Sequence, residues 1–144
     1  MEPKSVLEVQ PLVWVIDDDL VSLFATRYSI EQGKVSCKVV DFDCGETALQ
    51  VFTDSIENHG KLPDIILLDL IMPNMDGWEF LNKIKAVEGQ SKKTAIFILS
   101  AFTNSKDLER AKDHDTVQGY FEKPISKHNI EKIFQRELEY KKSL

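Results

Sequence analysis

Cysteine and histidine are scarce in this 144-residue chain, and neither has a spacing typical of a metal site. The two cysteines, Cys37 and Cys44, form no C-x-x-C motif, so we interpret them as small, partly buried residues of a reducing compartment. The three histidines are scattered among polar residues: His59, His114 and His128. These patterns argue against a disulfide framework and against a zinc site.

Long apolar runs and excess positive charge are also missing. No run approaches the length of about 20 residues that a membrane-spanning helix needs, and the N-terminus has no signal-peptide core. We therefore expect a cytoplasmic protein without membrane insertion. The net charge of -6 argues against nucleic-acid binding, which depends on basic surface. Length and composition predict one globular domain, at residues 11–140, between an N-terminal tail (1–10) and a C-terminal tail (141–144).

Five apolar segments alternate along the chain with segments of helical spacing. The predicted strands cover residues 13–16, 36–42, 64–69, 95–99 and 119–122. Strict alternation of strand and helix predicts a parallel sheet with helices on both faces. In such sheets ligands bind beyond the carboxyl ends of the strands, which is where a functional site is expected.

The helical segments differ in apolar content. The second opens at Gly45, the third contains Trp78, and the fifth covers residues 125–138. The fourth, residues 105–114, has few apolar residues, which predicts the least firmly packed and most mobile helix. The first ends at Gly33 and is predicted from residues at helical spacing: Leu20, Leu23, Phe24, Arg27 and Tyr28.

Acids, a hydroxyl and an amine follow the predicted strands in order. Asp17 and Asp18 follow the first strand, and Asp69 ends the third. Ser100 and Lys123 follow the fourth and fifth strands. Crowded carboxylates favour a cation, and Mg²⁺ prefers oxygen ligands. An aspartate can form an acyl phosphate, while a lysine and a hydroxyl can hold phosphoryl oxygens. The pattern therefore predicts phosphoryl transfer, with the phosphate supplied from elsewhere.

These segments, VWVIDDD, IILLDL, MPNMDG, IFILSA and YFEKP, resemble the motifs of the response-regulator receiver domain of two-component signalling. The resemblance covers about residues 12–139. It implies a flavodoxin-like, doubly wound, five-stranded parallel sheet in the order 2-1-3-4-5 with five helices. It also implies a signalling switch that catalyses only its own phosphorylation and dephosphorylation. A sensor histidine kinase or a histidine phosphotransfer protein would be the phosphoryl donor.

The resemblance assigns roles at the acidic positions. Asp69 matches the aspartate that is phosphorylated. Asp17 and Asp18 match the acidic pair that binds Mg²⁺, with Mn²⁺ as an alternative ion. Asp18 is expected to be the direct ligand, and Asp17 to act largely through water. Asp69 and the backbone carbonyl of Ile71 would complete the protein ligands.

The resemblance also implies a switch. Ser100 matches the hydroxyl that turns toward the phosphoryl group, and Lys123 matches the lysine that pairs with its oxygens. Tyr120 matches the aromatic residue that swings inward when Ser100 moves. A cis peptide is expected at Lys123–Pro124, where proline makes it accessible. Output would pass through the fourth helix, fifth strand and fifth helix to an unidentified downstream protein. The chain is expected to be a monomer or a weak, phosphorylation-dependent dimer.

The lifetime of the phosphorylated state is expected to depend on Ile71 and Phe102. They lie two residues beyond Asp69 and Ser100, where they would flank the path of an attacking water. In receivers these positions influence self-dephosphorylation. Their bulky apolar side chains predict a fairly long-lived acyl phosphate.

Two alternative functions remain open from the sequence. Asp17 to Val21 satisfies the D-x-D-x-V pattern of haloacid-dehalogenase-type phosphatases, with Asp17 as nucleophile and Asp19 as general acid. That interpretation leaves Asp69 and MPNMDG unexplained. The other alternative is a pseudo-receiver, a binding module that is never phosphorylated. In the receiver interpretation Asp19 begins a helix and Asp76 caps another.

Overall fold

The computed structural model describes residues 10–88 and 94–142, and in this part of the chain five strands alternate with five helices. The strands are β1 (Leu12–Ile16), β2 (Lys38–Phe42), β3 (Ile65–Asp69), β4 (Ala95–Ser100) and β5 (Val117–Glu122). The helices are α1 (Leu20–Glu31), α2 (Gly45–Glu57), α3 (Gly77–Glu88), α4 (Ser105–Asp113) and α5 (Lys127–Lys142).

All strand pairs are parallel, and the sheet order is β2-β1-β3-β4-β5. The predicted flavodoxin-like fold is therefore confirmed. The register brings the predicted site residues to one edge of the sheet. Ile16 pairs with Leu68, so the residues that follow them, Asp17 and Asp69, leave neighbouring strands at the same level.

The core has two halves, one on each face of the sheet. Every residue of β1 and β3 is buried, because successive side chains point to opposite faces and helices cover both. Trp14 and Phe52 belong to the cluster on one face. Val15 and Ile30 belong to the cluster on the other. Trp14 and Trp78 are both buried, as expected for core residues.

Helix α1 is present as predicted, but the spacing of its apolar residues did not identify the face that packs against the sheet. The helix ends at Glu31, before Gly33. Its buried residues are Leu23, Thr26 and Ile30. Leu20, Phe24 and Tyr28 are each at least 57% exposed. Two apolar stripes compete on this helix, and only the packing against the sheet selects one of them.

Several boundaries differ from the predicted ones. Strand β2 begins at Lys38, two residues later than expected, and β5 begins at Val117, two residues earlier. The early start of β5 goes with a register shift next to Ile96, which pairs with Val117. Asp64 lies before β3 and not within it, and its Oδ2 accepts a hydrogen bond from the Leu12 N–H at 2.7 Å.

Helix α5 continues to Lys142 and so enters the predicted C-terminal tail. Residues 1–9 and 143–144 of the predicted tails, the predicted loop at 90–93 and the side chain of Leu138 lie outside the described residues. Within residues 10–88 and 94–142, no helix has the length and apolar character to cross a membrane.

Candidate functional site

Three carboxylates meet at the carboxyl edge of the sheet. Asp17 follows β1, Asp18 is next to it, and Asp69 ends β3. One oxygen atom from each of the three lies within 4.8 Å of the others. Asp17 and Asp69 are buried, whereas Asp18 is exposed. The acidic cluster is therefore held by the sheet on one side and open to solvent at Asp18.

Lys123 brings a positive charge into this cluster. Its Nζ lies 2.6 Å from Asp17 Oδ2 and 3.1 Å from Asp69 Oδ2. The Lys123 N–H donates to the Ser100 carbonyl at 2.8 Å, which extends the β4–β5 pairing and aims the side chain at the acids. The following Lys123–Pro124 peptide bond is cis. One ammonium faces three carboxylates, so the ionised cluster keeps an excess of negative charge.

Burial and neighbouring charges shift the pKa values of Asp69 and Lys123. Burial raises the pKa of Asp69 above its usual range and the Asp17 charge adds to it, against the opposing effects of Lys123 and the Ile71 N–H. Burial by itself lowers the pKa of Lys123, but its bonds to Asp17 and Asp69 outweigh this and the pKa is raised. Lys123 therefore stays charged, and desolvation is the largest single influence on the pKa of Asp69.

Backbone groups orient both buried carboxylates. Asp17 Oδ1 accepts a hydrogen bond from the Asp19 N–H at 2.9 Å, and the Asp17 N–H donates to the Phe42 carbonyl at 3.0 Å. Asp69 Oδ1 accepts from the Ile71 N–H at 3.2 Å. Each carboxylate thus has one oxygen bonded to the main chain and one bonded to Lys123.

Two nearby acids cap helices, as predicted. Asp19 Oδ1 accepts from the N–H groups of Val21 and Ser22 at 3.0 and 3.4 Å, and begins α1. Asp76 Oδ1 accepts from the Glu79 N–H at 2.9 Å at the start of α3. Capping satisfies N–H groups that have no partner within the helix.

Gly77 has a structural role that the sequence motifs did not predict. A Cβ atom on Gly77 would lie 2.7 Å from the Asp69 carbonyl oxygen and 2.7 Å from the Leu70 Cα. The Gly77 N–H donates to the Leu70 carbonyl at 2.9 Å. The start of α3 therefore lies directly against the backbone of Asp69. The D-G pair after the MPNM segment was the available signal for this close approach.

Ser100 and Tyr120 share one hydrogen-bond acceptor. The buried Ser100 hydroxyl donates to the Phe102 carbonyl at 2.6 Å, and the Tyr120 hydroxyl donates to the same carbonyl at 3.3 Å. The Phe102 N–H returns a bond to Ser100 Oγ at 3.2 Å. The hydroxyl of Ser100 is thus engaged with its own loop. The sequence could not indicate this link, because the acceptor is a backbone atom.

Large apolar side chains are exposed close to these residues in the chain. Ile71 is 67% exposed and Phe102 is 75% exposed. Residues of α1 that follow the acidic pair are also exposed: Leu20, Val21, Phe24 and Tyr28. Exposed apolar side chains thus follow the acidic pair, Asp69 and Ser100 closely along the chain.

A parallel sheet in the order β2-β1-β3-β4-β5 with an acidic cluster at its carboxyl edge defines a flavodoxin-like α/β domain that is suited to bind a divalent cation. The family model of the response regulator receiver domain matches residues 13–135. The chain belongs to this family, and the predicted resemblance is confirmed. Receiver domains are phosphorylated by histidine kinases and interact with downstream effectors.

Individual relatives are similar over nearly the full chain. A probable methanogenesis regulatory protein, FilR2, from Methanothrix harundinacea is 34% identical over 142 residues, which cover 97% of this chain and 90% of the relative. A two-component response regulator from Cytophaga hutchinsonii has a similar crystal structure, with a TM-score of 0.80 at 22% identity, covering 90% of this chain and 98% of that one. The phosphorylated cyanobacterial phytochrome response regulator RcpA gives a TM-score of 0.68 at 24% identity, covering 90% and 89% of the two chains.

Proposed function

We propose that Asp69 accepts a phosphoryl group from a phosphohistidine of a sensor kinase or of a histidine phosphotransfer protein. A carboxylate oxygen of Asp69 attacks the phosphorus atom, the P–N bond breaks, and its electron pair returns to the imidazole nitrogen. The observation that carries this proposal is the position of Lys123 Nζ, 3.1 Å from Asp69 Oδ2 within the acidic cluster. A fixed cation at that distance can pair with the oxygens of a phosphoryl group on Asp69.

The other residues of the site have supporting roles in this proposal. Asp17, Asp18, Asp69 and the Ile71 carbonyl would hold Mg²⁺ or Mn²⁺, and the set of oxygen donors fits such an ion. When bound, the ion would neutralise charge that develops on the phosphoryl oxygens. Ser100 would supply a hydroxyl to the same oxygens. A crystal structure of phosphorylated RcpA exists within the same fold, which supports the proposal by likeness.

The shared carbonyl suggests how the signal leaves the site. To reach the phosphoryl group, Ser100 gives up its bond to the Phe102 carbonyl, and Tyr120, which donates to the same carbonyl, swings inward. The β4–α4 loop then loses the hydrogen bond from Ser100 and changes its contact with Tyr120. The charge added by phosphorylation would thus alter the surface formed by α4, β5 and α5, to which an unidentified downstream protein binds.

The exposed apolar residues of α1 are suited to receive the donor. A phosphohistidine must come within bonding distance of Asp69, so the donor protein must cover the surface next to it. Leu20 and Phe24, in the first two turns of α1 after the acidic pair, are 71% and 74% exposed, and covering apolar side chains favours binding. We expect Phe102 and Ile71 to lie at the same interface and to hinder attacking water, which would lengthen the life of the acyl phosphate.

The phosphatase alternative is less well supported. Asp17 is 2% exposed, and its oxygens are bonded to Lys123 and to the Asp19 N–H. Asp19 caps α1 and is absent from the acidic cluster. Asp17 and Asp69 are bonded alike, so enclosure does not decide between them as nucleophiles. The placement of Asp19 does, because a carboxylate bound to the N-terminus of α1 does not fit the role of general acid. The pseudo-receiver alternative has no specific observation in its favour.

The decisive experiment is incubation with acetyl phosphate and Mg²⁺, followed by intact mass and peptide mapping. We expect a phosphate-sized mass gain that requires Mg²⁺ and maps to Asp69. Asp69→Asn should abolish the gain. Asp76→Asn, on the same loop but at a helix cap, should leave it unchanged. Transient label on Asp17 with steady phosphate release would instead favour the phosphatase. Absence of label from acetyl phosphate and from a phosphohistidine donor would favour the pseudo-receiver.

A further inference from the structure

Helix α4 is held to the domain by few apolar contacts. Among its nine residues only Ala111 is buried, and Leu108 is half-buried. The charged residues of the helix are otherwise largely exposed. At the C-terminal end of α4, polar and aromatic contacts with α3 add to the packing of the helix against β5.

An interhelical cluster makes these contacts, and it consists of Trp78, Asn82, Arg110 and His114. The guanidinium carbon of Arg110 lies 4.4 Å from the centroid of the Trp78 ring, a cation–π distance. The His114 ring centroid lies 6.4 Å from that of Trp78, and His114 Nε2 lies 3.2 Å from Asn82 Oδ1. Residues four apart share one face of a helix, so the cluster joins one turn of α3 to the end of α4.

One hydrogen bond of His114, the one from the Thr116 N–H, requires a neutral ring. The Thr116 N–H lies 3.3 Å from His114 Nδ1, and Thr116 Oγ1 lies 2.8 Å from the same atom. A backbone N–H can only donate, so Nδ1 is the acceptor and Nε2 carries the proton that Asn82 Oδ1 accepts. The His114 carbonyl also accepts from the Val117 N–H at 3.1 Å. The ring thus contacts α3 and Thr116, and the His114 backbone joins the end of α4 to the start of β5.

Charged groups face the ring from each element packed against it. Arg110 lies on α4, Lys85 on α3, and Asp115 on the loop before β5, where Lys85 Nζ and Asp115 Oδ1 are 2.7 Å apart. Burial lowers the pKa of His114 below its ordinary value of 6.5. Asp115 opposes this, while Lys85 and Arg110 add to it. The surroundings therefore favour the neutral form that the bond from the Thr116 N–H requires.

We propose that His114 is a pH-sensitive restraint on α4: the neutral imidazole holds the end of the helix, and protonation releases it. A proton on Nδ1 turns this atom into a donor, so it no longer accepts the Thr116 N–H. It also places a second cation beside Arg110. Acidification then loosens α4 and the start of β5, two parts of the proposed output surface. This restraint acts in the unphosphorylated chain and does not depend on the proposed function.

The test is an NMR titration of the full unphosphorylated chain from pH 8 to pH 5. We expect the His114 ring to titrate below 6.5. The Trp78 indole N–H and the backbone amides of residues 113–117 should shift with the same midpoint. His114→Gln should remove this transition from the amides. His128→Gln, at an exposed histidine of α5, should leave it in place.

Two charge variants make the test specific to the cluster. Arg110→Gln removes a nearby cation and should raise the His114 midpoint, whereas Asp115→Asn removes an anion and should lower it. If His114→Gln disturbs folding, the unmodified chain still tests the proposal, because the His114 ring and the amides must then titrate with the same midpoint. Amides that show no transition at the ring midpoint, or a midpoint insensitive to both charge variants, would overturn the proposal.

Discussion

The centre of the sheet and its α4–β5 side are held together by different interactions. Every residue of β1 and β3 is buried, whereas β5 has no fully buried residue and α4 has only Ala111. Burial of apolar area stabilises by roughly 25 cal/mol per Å², so the centre supplies the larger share of stability. The α4–β5 side depends on hydrogen bonds and ring contacts that are weaker and sensitive to charge. The acidic cluster is thus anchored in the firm region, and the adjustable region lies beside it.

The largest expected effect comes from shortening one apolar side chain in each of the two regions. Ile66→Ala in β3 removes a fully buried side chain and should lower the free energy of unfolding by about 2–5 kcal/mol. Leu108→Ala in α4 removes a half-buried one and should cost roughly 1 kcal/mol. Urea unfolding measures both. Equal costs would show that α4 is packed as firmly as the centre.

Substitutions at two glycines compare how closely the surrounding atoms pack against the backbone in the two regions. Gly77→Ala places a Cβ 2.7 Å from backbone atoms of Asp69 and Leu70 and should cost roughly 1–3 kcal/mol, with a lower phosphorylation rate. Gly119→Ala in β5 meets the buried Phe97 ring at 3.0 Å, a longer approach than at Gly77 and one to a side chain instead of to backbone. We expect it to cost less than about 1 kcal/mol. Unfolding and acetyl phosphate labelling of both variants provide the check, and a larger effect at Gly119 would reverse the assignment of the firm region.

The surface of α1, which follows the central strand β1, and the surface of α4 should also differ in donor recognition. Phe24→Ser removes an exposed apolar side chain from α1 and should slow transfer from a phosphohistidine donor about tenfold, or ~1.4 kcal/mol. Lys106→Ser on the exposed surface of α4 should change this rate little. Labelling by acetyl phosphate serves as the control, because a small donor needs no docking surface. A loss of both activities in Phe24→Ser would point to a folding defect.

The smallest expected effect concerns the pH dependence of stability. The raised pKa of Asp69 means that the folded chain binds this proton more tightly than the unfolded chain does. Its contribution to stability is complete below 3.8 and is lost as the pH rises through the folded value. Asp69→Asn should therefore increase the free energy of unfolding at pH 7, with the gain shrinking toward pH 4.

The helix-capping acid Asp76 provides the matched control for this pH series. Asp76→Asn should change stability little at any pH, since asparagine caps helices about as well as aspartate. Urea unfolding at several pH values measures both variants. A stabilisation by Asp69→Asn that does not vary with pH would contradict the proposed role of its charge.

Much of the fold and of the site followed from local patterns. Continuous apolar runs predicted β1, β3 and β4, because a strand buried on both faces needs apolar residues at every position. The acids after β1 and at the end of β3 had to meet once the strands were parallel neighbours. Prediction was weakest where burial is partial. The two competing stripes of α1 and the early start of β5 at Val117 show that local spacing does not choose between similar packings.

By itself, the sequence determined the order of strands and helices, the family, and the acids, hydroxyl and lysine available for chemistry. These follow from side-chain periodicity and residue type, which act over a few neighbouring positions. Only the tertiary structure decided that Ser100 and Tyr120 share the Phe102 carbonyl and that Trp78 contacts His114. Such contacts join residues far apart in the chain, and they depend on strand register and helix placement, which are set by packing of the whole domain.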